Sequence, residues 1–106
     1  MTCITNVILT TAIQDGAWMR SDTGSVDILS DYLYRNYQGT RFSDVEVHAG
    51  GNKRMSCDVF MVAVDYLNVE EFIEQFHKVE WQKPEEAQLL IRTEGDTFFT
   101  SYRPKL

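Results

Sequence analysis

Three side chains capable of metal binding or acid–base chemistry alternate along one short stretch of the sequence, at Asp44, Glu46 and His48. Alternate residues of a β-strand point to the same face, so in a strand these three side chains lie together. In the hairpin expected for this region Asp58 faces Glu46, and two opposed carboxylates repel each other. A cation would relieve that repulsion, and Asp, Glu and His are ligands for hard or borderline metals. The four residues form a candidate metal site, although charges on an edge strand more often serve to prevent aggregation.

The remaining reactive side chains do not form a catalytic pattern. His77 lies on a predicted helix between Phe76, which faces the core, and Lys78, which faces solvent, so we interpret it as a surface residue. Neither histidine has a Ser or Cys partner that the sequence places beside it. Gly50-Gly51 lies in a predicted hairpin and not before a helix, unlike a phosphate-binding loop. We therefore predict no catalytic residue and no cofactor.

Hydrophobic periodicity predicts the strands and helices that position these residues. With 106 residues, 43% of them hydrophobic and 25% charged, the chain has the size and composition of one folded domain, residues 1–106. The patterns predict strands at 3–13, 42–49, 55–65, 87–92 and 97–102, and helices at 25–37 and 68–80. This order, βαββαβ with an extra C-terminal strand, predicts an α+β, ferredoxin-like fold with an antiparallel sheet and two helices on one face.

The strand predicted at 55–65 is apolar on both faces, which is typical of a strand in the middle of a sheet that is covered on both sides. If the helices cover the face that contains Val59, the opposite face leaves Phe60, Val62 and Val64 open. A contiguous apolar patch is rarely left in water, and burying each of these side chains is worth about 1.5–3 kcal/mol. We therefore predict that this open face forms a homodimer interface. The alternative is that the C-terminal strand and tail fold across it.

The pairing of the second and third predicted strands follows from their hydrophobic patterns. When Val45 faces Val59, apolar residues of the two strands meet along the hairpin. A slip of one residue would set Val45 against Asp58. We therefore predict the first pairing.

The helix at 68–80 has the strongest start signal in the chain. Asn68 is a predicted N-cap with Glu71 at the third helical position, and Leu67 and Phe72 are placed to form a hydrophobic staple. These signals predict that the helix begins directly after Asn68.

A loop rich in turn-forming residues, 14–24, contains Trp18, Met19 and Arg20. Long loops are often functional, so these three residues are candidates for contact with a protein partner. The simpler alternative is that Trp18 folds back over an edge of the core.

The formal net charge of −6 argues against nucleic acid as a partner, because binding to phosphates needs clustered Lys and Arg. No long apolar run or signal peptide is evident, so we expect no membrane partner and a cytoplasmic location. Cys3 and Cys57 fit neither a zinc spacing nor a disulfide framework, and we expect them to be buried thiols.

The sequence is compatible with two candidate functions. The first is a small acidic, non-enzymatic interaction protein that binds a protein partner, itself, or both. The second follows from the element order, which is similar to that of small dimeric α+β barrel proteins, some of which are monooxygenases or ligand-binding modules. That resemblance implies a small-ligand-binding protein or cofactor-free enzyme. Its pocket would lie between sheet and helices, with walls formed by Asn6, Trp18, Tyr32, His77 and Trp81. We favour the first because the strands carry only a weak polar signal.

Overall fold

The computed structural model describes residues 3–12, 25–45, 50–52, 55–81 and 83–104. Within these ranges the strands are β1, Ile4–Thr11; β2, Ser43–Asp44; β3, Asp58–Asp65; β4, Gln88–Thr93; and β5, Thr100–Tyr102. The helices are α1, Ser25–Asn36, and α2, Val69–Lys78, and a 3-10 turn covers Pro84–Glu86. The predicted elements are present in the predicted order, and most are shorter than their sequence patterns.

Five strands form one antiparallel sheet in the order β2-β3-β1-β4-β5, which confirms the α+β class. The eight residues of β1 all pair with β3, and six of them, Thr5–Thr10, also pair with β4. The β-branched composition of β1 suits this extended, doubly paired position. β5 adds to the outer side of β4 and extends the sheet. The expected alternative, in which the C-terminal strand folds across the sheet, is therefore wrong for β5.

One face of the sheet is buried under the helices. On this face, cross-strand pairing places Leu9 of β1 between Phe60 of β3 and Leu89 of β4, and all three side chains are fully buried. Both helices contribute apolar residues to the same cluster, including Val26, Leu29 and Leu33 from α1 and Phe72 and Phe76 from α2. The hydrophobic core therefore fills the space between this face and the two helices.

The prediction that Phe60, Val62 and Val64 lie on the open face is wrong. Phe60 is 0% exposed and Val64 is 1% exposed, and Val62 packs against the same core. Because both faces of β3 are apolar, its own pattern does not reveal which face the helices cover. The neighbouring strands decide the matter, since the opposite face of the sheet also contains the polar side chains of Asn6 and Arg92.

The predicted pairing of the hairpin strands is confirmed for the described residues. Ser43 pairs with Met61 and Asp44 with Phe60, and the backbone N–H of Val45 donates to the carbonyl oxygen of Val59 at 3.1 Å. The hydrophobic patterns of the two strands were therefore sufficient to set their register.

Both helices begin or end at the residues that the sequence marks. The Asn68 side-chain oxygen accepts a hydrogen bond from the backbone N–H of Glu71 at 3.2 Å, which confirms the N-cap of α2. After α1, Gly39 has φ +79°, and its N–H donates to the carbonyl oxygen of Tyr34 at 3.1 Å. This left-handed conformation favours glycine and ends the helix. Within the described part of the chain, neither helix is long and apolar enough to cross a membrane.

We expect the substitution Asn68→Ala to lower the free energy of unfolding by about 0.5–2 kcal/mol, because it removes the side-chain oxygen that caps α2. Urea unfolding followed by circular dichroism measures this change. Asn52→Ala is the matched control, since Asn52 is exposed and lies outside the helices and strands. Equal stability of the two variants would contradict a stabilising role for the cap.

Candidate functional site

The face of the sheet opposite the helices, here called the open face, has an apolar row at its centre. Ile8 of β1 pairs with Met61 of β3 on one side and with Leu90 of β4 on the other. Ser43 and Ser101 continue this row on the outer strands. Met61 is 45% exposed, whereas Ile8 and Leu90 are partly buried. The open face thus presents a continuous apolar strip across three strands, flanked by hydroxyl groups.

The neighbouring row is polar and contains Arg92, whose guanidinium group is hydrogen-bonded through Nε. Asn6 pairs with Ala63 and with Arg92, and its side-chain Nδ2 donates to the backbone oxygen of Arg92 at 3.2 Å. The Nε–H of Arg92 donates to the backbone oxygen of Asp96 at 2.9 Å. Among the described residues, no hydrogen bond or ion pair engages the two terminal NH2 groups of Arg92. Within this part of the chain the guanidinium is therefore oriented through Nε, and its terminal NH2 groups donate to no other residue.

A pocket of about 670 Å³ opens on this face between the apolar strip and the polar row. Its floor includes the short side chains of Asn6 and Ala63, beside the longer side chains of Ile8 and Met61. Phe99, which directly precedes β5, contributes to the wall on the far side of β4. The pocket therefore combines apolar surface with polar groups contributed by several strands.

A second arginine, Arg41, lines the same pocket from the opposite edge of the sheet. Continuing the pairing of Ser43 with Met61 by two residues places Arg41 level with Ala63. The guanidinium carbon of Arg41 lies 4.2 Å from the centre of the Tyr34 ring on α1, a cation–π contact that orients the group. Arg41 and Arg92 thus lie on opposite sides of one pocket.

Two other cations of the described residues form ion pairs with carboxylates. The Nε of Arg35 lies 2.9 Å from the Asp31 carboxylate, and the Nζ of Lys83 lies 3.7 Å from the Glu86 carboxylate. In the same part of the chain, neither Arg41 nor Arg92 forms an ion pair. A protein with a net charge of −6 therefore has a local concentration of positive charge in one pocket on its open face.

The candidate metal residues are described only in part. Asp44 is exposed on β2, and Asp58 is half-buried at the start of β3, whereas Glu46 and His48 lie outside the described residues. Among the residues that are described, no group of three or more His, Cys, Asp or Glu side chains is placed to hold a metal ion. The metal site remains a prediction from the sequence.

The residues predicted to line a pocket between the sheet and the helices do not come together. Asn6 lies on the open face, whereas Trp81 is buried on the helix side with its ring 5.6 Å from that of Phe76. The Nε2 of His77 forms a hydrogen bond with the backbone oxygen of Arg103 at 3.1 Å. Trp18, with its neighbours Met19 and Arg20, lies outside the described residues. Only Asn6 among the described candidates borders the pocket on the open face.

Tyr32, the remaining candidate, joins the two helices. Its ring lies 6.1 Å from that of Phe72 and 6.4 Å from that of Tyr37. Burial raises the pKa of the Tyr32 hydroxyl well above its usual range, and a hydrogen bond with Glu71 raises it further. The Tyr37 hydroxyl accepts a hydrogen bond from the backbone N–H of Asn68 at 3.0 Å. This cluster therefore stabilises the contact between α1 and the start of α2.

The sequence reasoning missed Arg41, Arg92 and Phe99. A partial signal was present, because Arg92 directly follows three apolar residues of one strand pattern and Asn6 interrupts another pattern. Their convergence becomes visible only when the pairing of β1 with β3 and β4 is known. Comparison with protein-family models, with curated proteins and with solved structures finds no match to this chain. The function is therefore argued from the geometry of the open face.

We expect the free energy of unfolding to fall less steeply at alkaline pH in Tyr32→Phe than in the parent protein. In the unfolded chain a tyrosine loses its proton near pH 10, roughly its ordinary pKa, whereas folded Tyr32 keeps its proton to higher pH. The contribution of this raised pKa to stability is complete below that pH and is lost as the pH rises further.

Urea unfolding at about pH 8 and pH 11, on either side of the ordinary tyrosine pKa, measures the difference. Tyr34→Phe is the control, since it removes an exposed hydroxyl from the same helix. Parallel loss of stability in Tyr32→Phe and the parent protein would contradict the expectation.

Proposed function

We propose that the protein is a small acidic, non-enzymatic interaction protein that acts through its open face, and that it binds a second copy of itself there. The observation that carries this proposal is the apolar strip formed by Met61, Ile8 and Leu90 on the face that the helices leave uncovered. Large apolar patches at a protein surface commonly mark interaction sites.

Further exposed apolar side chains accompany this strip. Phe99, which lines the pocket on this face, is 37% exposed, and Ile4, at the start of β1 on the same face as Ile8, is 38% exposed. Covering a large apolar side chain is worth about 1.5–3 kcal/mol, so a contact that buries several of them offsets much of the entropic cost of association.

The arrangement of charge favours a second copy as the occupant. Arg41 and Arg92 flank the pocket, whereas Asp65 and Glu94 lie at one end of the same face, near Ile4. A two-fold symmetric contact brings the same surface of both copies together, so the acidic end of one copy can face the cationic pocket of its partner. Such pairing counters the repulsion between two chains that each have a net charge of −6.

The fold supports a paired-sheet arrangement. We infer a ferredoxin-like fold with an added strand, because β2-β3-β1-β4 are neighbours in that order and β5 follows at the edge. The sheet is thereby widened on the β4 side without its open face being covered by β5.

A cytoplasmic location is also proposed. It is compatible with Cys3 and Cys57, which are free thiols. Both side chains are half-buried, whereas the sequence predicted that they would be buried.

We expect the parent protein to form a dimer at micromolar concentration and Met61→Asp to weaken it about tenfold or more in dissociation constant, since the change places a charge in the apolar strip. Size exclusion with light scattering over a concentration series measures both. Ile28→Asp is the matched control, because Ile28 lies on α1 and is 48% exposed, close to the 45% of Met61. A monomer at all concentrations, or equal weakening by both variants, would overturn the proposal.

A further inference from the structure

Beyond self-association, we propose that the pocket between Arg41 and Arg92 binds a small ligand made of an oxyanion, a carboxylate or a phosphate, attached to an apolar body. The pocket is built from residues of one chain, so a monomer can form it. Ile8 and Met61 of its floor also belong to the apolar strip that a second copy would cover, so the ligand and the second copy compete for this surface. The pocket volume of about 670 Å³ is within the range of small-molecule pockets.

Arg92 is the residue that would hold the oxyanion. A guanidinium group presents a planar set of donors that matches two oxygens of a carboxylate or phosphate. The hydrogen bond from Nε to the backbone oxygen of Asp96 fixes one edge of this plane, while both terminal NH2 groups donate to none of the described residues. The group is therefore oriented before a ligand arrives, which lowers the entropic cost of binding.

Asn6 positions Arg92 and supplies a polar group to the pocket. Its Nδ2 donates to the backbone oxygen of Arg92 at 3.2 Å, which ties the side chain of the central strand to the backbone of β4. The hydroxyl residues Thr40 and Ser43 line the pocket nearer β2. The Ser43 hydroxyl can donate a hydrogen bond to the ligand without adding charge, whereas the Thr40 hydroxyl already donates to the backbone oxygen of Tyr37 at 2.6 Å.

Arg41 contributes the second positive charge. Arg41 lines the pocket, its contact with the Tyr34 ring at 4.2 Å orients the guanidinium, and no carboxylate of the described residues forms an ion pair with it. Two cations that form no ion pair with the described residues attract an anion to this pocket, even though the whole chain is acidic.

The apolar surfaces of the pocket determine which body the ligand should have. Ile8, Met61 and Ala63 form an apolar floor beside the arginines, and Phe99 adds an aromatic ring on the β4 side. A bare inorganic anion would leave this surface in contact with water. A ligand with an aromatic or aliphatic body buries it, which adds affinity in proportion to the area covered.

The site can be tested by calorimetric titration of the full chain with four probes: phenyl phosphate, benzoate, inorganic phosphate and benzyl alcohol. We expect phenyl phosphate, benzoate or both to bind at least about tenfold more tightly than inorganic phosphate and benzyl alcohol, a ratio that corresponds to about 1.4 kcal/mol. The stronger of the first two identifies phosphate or carboxylate as the preferred oxyanion. Absence of heat with all four, or equal binding of inorganic phosphate and phenyl phosphate, would overturn the proposal.

Three variants connect the binding to this pocket. Arg92→Gln and Arg41→Gln should each weaken the preferred probe about tenfold and reduce its salt dependence, because each removes one charge at the pocket. Ala63→Leu keeps both arginines but fills the floor, so it should also weaken binding. Lys78→Gln is the matched control, since it removes an exposed cation on α2 and should leave the affinity unchanged.

Thermal unfolding of each variant confirms that it is folded. Unchanged affinity in the folded Arg92→Gln and Ala63→Leu variants would place the binding elsewhere and refute the site. Light scattering on the same samples separates this result from the dimer proposal. A protein that is monomeric at all concentrations and binds the probe in an Arg92-dependent way supports the pocket and refutes self-association. A protein that dimerises at high concentration, and gives no heat with any probe when it is diluted until it is monomeric, supports self-association and refutes the pocket.

Discussion

The structure depends on the pairing of β1 with a neighbour on each side. Eight residues of β1 pair with β3 and six pair with β4, so the backbone of this strand has no free edge along most of its length. This pairing fixes which side chains share a face. It places Leu9 between Phe60 and Leu89 in the core, and it places Asn6 between Ala63 and Arg92 on the open face. The same strand pairing therefore determines both the core on one face of the sheet and the candidate pocket on the other.

Much of the fold followed from local sequence signals, because those signals act over a few residues. The N-cap at Asn68 depends on a residue three positions further along the helix, and the pairing of Val45 with Val59 depends on matching two short apolar patterns. The face covered by the helices did not follow, because β3 is apolar on both sides. Its environment is decided by Asn6 and Arg92, which lie on other strands.

The candidate site was harder to predict than the fold because its residues are distant in the sequence. Asn6 lies on β1, Arg41 two residues before β2 and Arg92 on β4. They come together only when these strands have assembled into the sheet. Their chemistry is also ordinary when each is considered alone, since a single arginine at the end of a strand is usually a solvated charge. By contrast, Asp44, Glu46 and His48 were conspicuous because they alternate within five residues. Sequence spacing therefore pointed to residues that are close together in the chain, and it did not indicate the pocket residues, which are far apart in the chain.

The central position of β1 has a consequence for the synthesis of the chain. β1 is made first, yet its two partners begin at Asp58 and Gln88, and the backbone N–H of Glu94 completes the ladder at Ile4. On the ribosome, the apolar residues of β1 must wait until β3 and β4 have been translated before its two edges are paired. Contacts this remote in the sequence slow folding and leave strand edges exposed to other chains in the meantime. Loss of β4 would therefore leave one edge of β1 unpaired over Thr5–Thr10.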